Sequence, residues 1–236
     1  MIDNERTTDV PTLLHLDSSA DGAGITRRLG ALYAEGWRAR HGDAGYRYRD
    51  LAAEPVPLVG QAYVRLGTRV ERQGVIPMEK VAAQTESAEE EREWAATLPL
   101  IEELRAADTL LVGAPMYNFS VTTALKAWID RVTFPGAYLD PDSGRSLLAG
   151  TRVMVAAACG GGYGPGTPRE GCDFHLPYLR AYFTNLGVAQ ENLHVVRAEL
   201  TRAGDIPALA PYQEIGARSR EAAWEAITGL TRGISG

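Results

Sequence analysis

The chain has 236 residues, with 24 Lys and Arg against 30 Asp and Glu, a net charge of −6, 45% hydrophobic residues and two cysteines. A chain of that length buries roughly 70% of its unfolded surface without covalent staples. The missing basic footprint argues against nucleic acid or an anionic membrane as partner. Cys159 and Cys172 lack CxxC spacing, the N-terminus lacks the basic tip and apolar stretch of a signal peptide, and no apolar run reaches the roughly 18 residues of a membrane span. The expectation is a reduced, cytoplasmic protein without a metal site.

Residues 1–11 read as a mobile arm and 12–236 as a single domain, with no internal repeat and no separating linker. Thr12–Leu16 is a short apolar run that stops in the polar, Gly-rich stretch 17–24, the pattern of a buried strand and a loop. Ile25, Leu29, Leu32, Tyr33 and Trp37 then recur at helical spacing to about Arg40. Tyr46–Leu51 reads as a second strand. The segment 52–86, broken by prolines and glycines, reads as an excursion with short helical pieces. Ser87 followed three residues on by Glu90 resembles a capping box and opens a helix through Trp94, Leu98, Ile101 and Leu104.

A third strand follows at Asp108–Ala114, then a Met-Tyr-Asn-Phe turn and a helix over Thr122–Val132 carrying Leu125 and Ile129. Residues 136–150 form a polar connection. Thr151–Ala158 is a fourth strand, 160–166 an irregular glycine loop, and Leu176–Leu186 a helix closed by Gly187. A fifth strand at Leu193–Ala198 and a helix from Pro207 to Leu230 complete the order. Alternation of strand and helix implies parallel pairing with helices on both faces. The pattern predicts an α/β, flavodoxin-like three-layer αβα sandwich with a five-stranded parallel sheet in the order 2-1-3-4-5. Ligands of such sheets sit at the carboxyl ends of the strands, which directs attention to loops 17–24, 115–120 and 158–168.

The first loop places Ser19, Gly24, Ile25 and Thr26 at a helix start, where free backbone N–H groups suit a phosphate; the same residue types also serve ordinary turns. The second, Pro115, Met116, Tyr117, Asn118 and Phe119, carries more apolar surface than a strand tip can bury, which suits a flat heteroaromatic ring; Met116 and Phe119 folded back as core plugs is the other option. The third, Ala158, Cys159, Gly160, Gly161 and Tyr163, lets backbone approach a ligand where no Cβ intervenes, or is simply flexible. Neither lysine, Lys80 or Lys126, follows a glycine, which excludes a Walker A loop, and no GxGxxG follows the first strand.

Acid–base teams are thin. There is no GxSxG or HExxH, and His15, His41, His175 and His194 are scattered, with His15 inside a strand. Cys159 has no cation or His near it in sequence that would make it a nucleophile, so no side chain is assigned a catalytic role. A phosphate cradle, an aromatic tip and a glycine loop without an acid–base team point to chemistry done by a bound cofactor.

Taken together, LLHLDSS at 13–19, RDLAAEP at 49–55, APMYNFSVTTALKAWID at 114–130, the glycines 160–161 and PYL at 177–179 resemble the FMN-dependent NAD(P)H azoreductases, which are also quinone reductases. The likeness runs in order from about residue 12 to 190. It implies a flavodoxin-like homodimer with one FMN per subunit and the active site at the interface. NADH or NADPH is the electron donor in a two-electron ping-pong cycle, and the acceptor is a small quinone, azo or related electrophilic aromatic molecule. By position it assigns Ser19, Gly24, Ile25 and Thr26 to the phosphate, Pro115–Phe119 to the wall under the ring, and Gly160 and Gly161 to its pyrimidine end, with Ala158, Cys159 and Tyr163 in the same loop. Phe119, Tyr138 and Asn185 fall on the acceptor side. Where the family commonly has Ser-Arg before the glycines, this chain has Ala158-Cys159, which removes a hydroxyl and a guanidinium from the wall.

Two other readings share the fold. A biosynthetic tailoring flavoenzyme would exploit the altered acceptor positions, where Tyr138-Leu139-Asp140-Pro141 stands in place of the family's usual Thr-Phe-x-Tyr and Asn185 in place of a commonly aromatic residue. A non-catalytic electron carrier would be shorter, more acidic and without the 52–86 excursion.

Overall fold

The computed structural model describes residues 10–164, 167 and 169–232, the last without its side chain. Most of the expected N-terminal arm, and Pro165 and Gly166 of the glycine loop, lie outside the described residues.

Five strands form one parallel sheet: β1 (Leu13–Asp17), β2 (Tyr46–Asp50), β3 (Thr109–Pro115), β4 (Arg152–Ala158) and β5 (Leu193–Ala198), in the spatial order β2-β1-β3-β4-β5. The expected order is the observed one. β3 is central and fully buried; its register pairs Leu14 with Leu110 on one side and Leu110 with Val153 on the other.

The period-two alternation of the strands divides the core in two. Leu14, Leu16, Leu110, Val112, Val153 and Val155 face one layer, and Leu13, Leu111, Met154, Ala156 and Val196 face the other. The smaller layer is α1 (Ile25–His41) and α6 (Gln213–Arg232), which meet through Tyr33, Trp37, Ala223 and Ile227. The larger layer holds α2 (Gln61–Glu71), α3 (Ala88–Arg105), α4 (Thr123–Val132) and α5 (Leu176–Asn185). Burying an apolar side chain of this size contributes about 1.5–3 kcal/mol, so both layers are needed to hold the sheet.

Local signals explain the helix ends. Ser87 Oγ accepts the Glu90 N–H and starts α3, and Thr122 Oγ1 accepts the Leu125 N–H at 3.1 Å and starts α4 directly behind the turn at 117–120. At the end of α5 the Gly187 N–H reaches the Thr184 carbonyl and the Val188 N–H the Phe183 carbonyl, with Gly187 at φ 85°. That is a Schellman closure, and it needs glycine.

The 52–86 excursion is more ordered than its composition suggests, because α2 is an eleven-residue helix within it. The reason is Arg131 on α4, which is 1% exposed. It donates to the Pro57 and Leu58 carbonyls, pairs with Glu93 at 2.8 Å and lies over the Tyr63 ring. One buried guanidinium thus ties the excursion to α3 and α4. The final helix begins at Gln213, preceded by a 3-10 segment over Pro207–Tyr212.

Candidate functional site

At the carboxyl ends of β1, β3, β4 and β5 lies a cleft of about 1030 Å³. The start of α1 forms one end. Gly24 gives α1 no side-chain cap, so its first amides point outward, and Thr26, 1% exposed, keeps its Oγ1 without a partner. A Cβ on Gly24 would stand 2.8 Å from Ser19 Oγ and 3.0 Å from the Asp21 carbonyl, so the loop closes only around glycine here. Ser19 Oγ is engaged within the loop, accepting the Asp21 N–H at 3.2 Å.

The arginines beside this loop serve the protein itself. Arg27 donates from Nη2 to the Ser19 carbonyl at 2.6 Å and pairs with Asp50 at 2.7 Å, which holds the Asp50 carboxyl below its usual range. Arg28 lies over the Trp224 ring. Beneath the loop, His15 and Asp17 are buried. His15 Nδ1 is 2.9 Å from the Tyr46 hydroxyl, and the Tyr48 hydroxyl donates to Asp17 at 3.1 Å. Burial lowers His15 to about 4 and raises the Asp17 carboxyl. His15 is a core residue, as its place in a strand suggests.

The second wall is the turn after β3. Tyr117 and Ser120 exchange both backbone hydrogen bonds, and Asn118 and Phe119 between them have φ of 47° and 73°. This is a tight turn of the hairpin type, with two left-handed residues and no glycine. Its two hydrogen bonds leave the Asn118 and Phe119 amides free of the turn. Tyr117 reaches across to the first loop, its hydroxyl accepting the Ala20 N–H at 3.2 Å. Phe119 is 40% exposed, so it is not a core plug; its ring meets Tyr163 edge-on at 6.1 Å.

The third wall is the segment after β4. Cys159 is buried, and the cation its sequence neighbourhood lacks arrives from β5: Arg197 Nη2 lies 3.5 Å from the sulfur. Burial nevertheless pushes the thiol up to about 11, because Arg197 also pairs with Asp173 and Glu199. An unreactive thiol results.

The sequence-assigned residues Ser19, Gly24, Ile25, Thr26, Pro115 to Phe119, Ala158 to Gly161 and Tyr163 all line this one cleft. Two acceptor-side assignments do not. Tyr138 is 4% exposed and packs in the larger core layer. Asn185 is exposed at the end of α5, away from the cleft lining. Sequence reasoning also missed a fourth wall: Leu200, Thr201, Arg202, Ile206, Leu209 and Tyr212, from the segment after β5. That loop leaves the same end of the sheet as the other three, so strand order was the signal for it. Among the described residues no cluster is arranged to hold a metal ion, and no helix is long and apolar enough to cross a membrane.

A parallel sheet in this order with a cleft at its carboxyl ends defines a flavodoxin-like protein, and the family model described as "Flavodoxin-like fold" matches residues 11–216. Curated relatives named FMN-dependent NADH:quinone oxidoreductase are 41% identical over 201 residues in Nocardia farcinica, covering 85% of this chain and 88% of that one, and 40% identical over 219 residues in Frankia alni, covering 92% and 97%. The chain belongs to this family of flavodoxin-like quinone oxidoreductases. An azoreductase from Bacillus anthracis str. Sterne superposes with a TM-score of 0.74 over 94% of this chain and 98% of its own, at 16% identity. An FMN-dependent NADH-azoreductase from Bacillus anthracis str. Ames Ancestor, solved with FMN, gives 0.69 over 93% and 99%, at 19% identity. Those two likenesses concern the fold.

Proposed function

We propose that the cleft holds FMN and that the protein is an FMN-dependent NAD(P)H:acceptor oxidoreductase reducing quinone, azo or related electrophilic aromatic compounds. The observation that carries this reading is the pairing, in one cleft, of an orphaned buried hydroxyl at a helix start with an aromatic wall bearing free amides. Thr26 Oγ1 and the first amides of α1 fit a phosphate, and the Gly24 cradle keeps a side chain out of its way. The turn amides and the Phe119 and Tyr163 rings fit a planar heteroaromatic head.

When bound, FMN supplies two-electron transfer between a nicotinamide and an acceptor. The chain's own part is to bind and to orient. The α1 terminus anchors the anion, and Arg27 holds the Ser19 carbonyl so that the loop keeps its shape. The Tyr117–Ser120 turn presents amides at the ring's polar edge, where fixed donors stabilise developing negative charge. No side chain is asked to act as acid or base. Tyr138 and Asn185 do not line the cleft of their own subunit, so nothing within one subunit favours the tailoring enzyme over the reductase.

The proposal includes a homodimer. Phe174, 61% exposed, is bonded through its N–H to the Phe119 carbonyl, and Leu58, 71% exposed, stands beside Ser120 and Val121. A second copy covering these side chains would close the mouth of the cleft; light scattering on the purified protein reads the mass directly.

The test of activity is the visible spectrum of the protein with anaerobic NADH added. Flavin bands that bleach and return with menadione or an azo dye are expected. A protein that stays colourless after incubation with FMN would overturn the reading, and bands that NADH and NADPH both leave unchanged would reassign the protein as a carrier.

A further inference from the structure

The cleft extends past the glycine turn, and two cations stand on its rim there. Arg169 donates from Nη1 to the Tyr163 hydroxyl at 3.0 Å, and its guanidinium lies 5.8 Å from the Phe119 ring centre and 5.9 Å from that of Tyr163. Arg202 comes from the segment after β5 and lays its stem on Gly160, whose absent Cβ would stand 3.1 Å from the Arg202 Cγ and Cδ. Both residues line the cleft and both are exposed.

Among the described residues neither guanidinium has a carboxylate within ion-pair distance. Arg197, which shares the Tyr163 ring with Arg169, does: it pairs with Asp173 and Glu199. The acidic groups that line the cleft are Asp21, on the α1 loop, and Asp205, three residues after Arg202, and neither forms an ion pair with these two cations. A free guanidinium on a solvated surface is common. One pinned by a tyrosine hydroxyl over two aromatic rings, with a second resting on a glycine beside it, is pre-oriented toward whatever occupies the cleft, and a planar forked cation of this kind is suited to carboxylate, sulfonate or phosphate oxygens.

We propose that Arg169 and Arg202 form an anion-reading rim that selects redox partners carrying a negatively charged group next to the reacting ring. The proposal rests on the flavin-reductase reading above and adds a substrate class to it. Two sources of the anion share this chemistry: an acidic aromatic acceptor such as a sulfonated quinone or azo compound, or the phosphates of the nicotinamide donor. The cost to an uncharged partner is small, because the aromatic wall remains. The gain to an anionic one comes both from the paired contact and from steering into the cleft, which weakens as salt rises.

The test compares the FMN-loaded wild type with Arg169→Gln, Arg202→Gln, the double variant and the charge-keeping Arg169→Lys and Arg202→Lys. Calorimetric titration of the oxidised protein with 1,4-naphthoquinone-2-sulfonate, menadione, NAD+ and NADP+ reads binding without turnover, and steady-state kinetics reads kcat/KM. For an acidic acceptor, the sulfonate-to-menadione ratio of both affinity and kcat/KM falls about tenfold in the double variant, is largely kept in the Lys variants, and falls in wild type on raising the salt. For the donor as source, the sulfonate-to-menadione ratio holds while NADP+ or NAD+ affinity drops by a similar factor. Unchanged ratios and unchanged dinucleotide affinity in the double variant overturn the rim. Failure of the wild type to reduce menadione with either dinucleotide overturns instead the reductase reading, and the calorimetry still decides whether the rim selects anions.

Discussion

Phe119 occupies a position where the backbone favours glycine. A two-residue turn with both φ positive is the place of Asn-Gly in most hairpins, and Asn118 fits it. Phe119 at φ 73° does not, and a bulky residue there costs on the order of 1 kcal/mol or more. The ring is 40% exposed, so burial in the core returns little of that cost. A local rule broken at a cleft wall is the mark of a functional choice. Two effects of opposite sign follow for Phe119→Gly: chemical denaturation should show unchanged stability or a gain of up to about 1 kcal/mol, while FMN affinity by fluorescence titration should fall about tenfold, the worth of one aromatic contact. A variant that loses stability and retains FMN would show that the ring serves the fold. Cys159 makes the complementary point: its neighbour Arg197 is 38 positions away in sequence, so neither the cation nor the burial that outweighs it could be seen from the residues flanking the thiol.

Among the elements, α1 is the one whose start decides the phosphate end. It has no capping side chain, which leaves donors open, and the loop before it is held from the side by Arg27 on the Ser19 carbonyl and Asp50. Replacing Arg27 by Met should leave the sheet intact and lower FMN affinity about tenfold, whereas riboflavin, which has no phosphate, should bind with nearly the same affinity as before. Equal losses for both ligands would mean that Arg27 acts on the whole cleft. The elements themselves were legible because their signals are local: the 3-4 spacing from Ile25 to Trp37, the Ser87–Glu90 box, and Gly187 at the end of α5 all lie within a few residues of what they specify. The site loops were legible because strand order brings strand ends together. The helix α2 was hidden because what fixes its surroundings is Arg131, more than sixty residues further along the chain. The burial of Tyr138 was hidden for a related reason: the connection 136–150 folds its aromatic ring inward, and nothing in the local pattern distinguishes an inward tyrosine from one at a cleft. The fourth wall was missed although the same strand-order rule covers it, because residues 199–212 contain no aromatic cluster or glycine run to draw the eye.

For the molecule as a whole, two buried histidines contribute to the loss of stability in mild acid, in the same direction as His194, which burial also lowers. His15 and His175 are lowered by burial to about 4, while in the unfolded chain each takes up a proton near the ordinary value of about 6.5. Between those limits the unfolded state binds more protons, so the stability present above pH about 6.5 is lost as the pH falls, with a slope of up to about 1.4 kcal/mol per pH unit for each histidine. Asp17, whose carboxyl burial raises, acts in the opposite direction and makes the net slope smaller. Urea unfolding should therefore show a lower midpoint at pH 5 than at pH 7, and His175→Gln should remove part of the difference. Identical wild-type midpoints at the two values would contradict the assignment of these imidazoles as neutral.

The walls of the cleft come from positions 19–26, 115–119, 158–163 and 200–212, each following a different strand. During synthesis the anchoring end emerges first of the four walls and the wall after the fifth strand last, so a ribosome-bound fragment lacking the fifth strand has no complete pocket to load. Uptake of the proposed FMN then has to wait for the fifth strand and the segment after it. Once made, each bound molecule favours the finished fold over every partial one, by about 2.7 kcal/mol at a hundredfold excess over its dissociation constant.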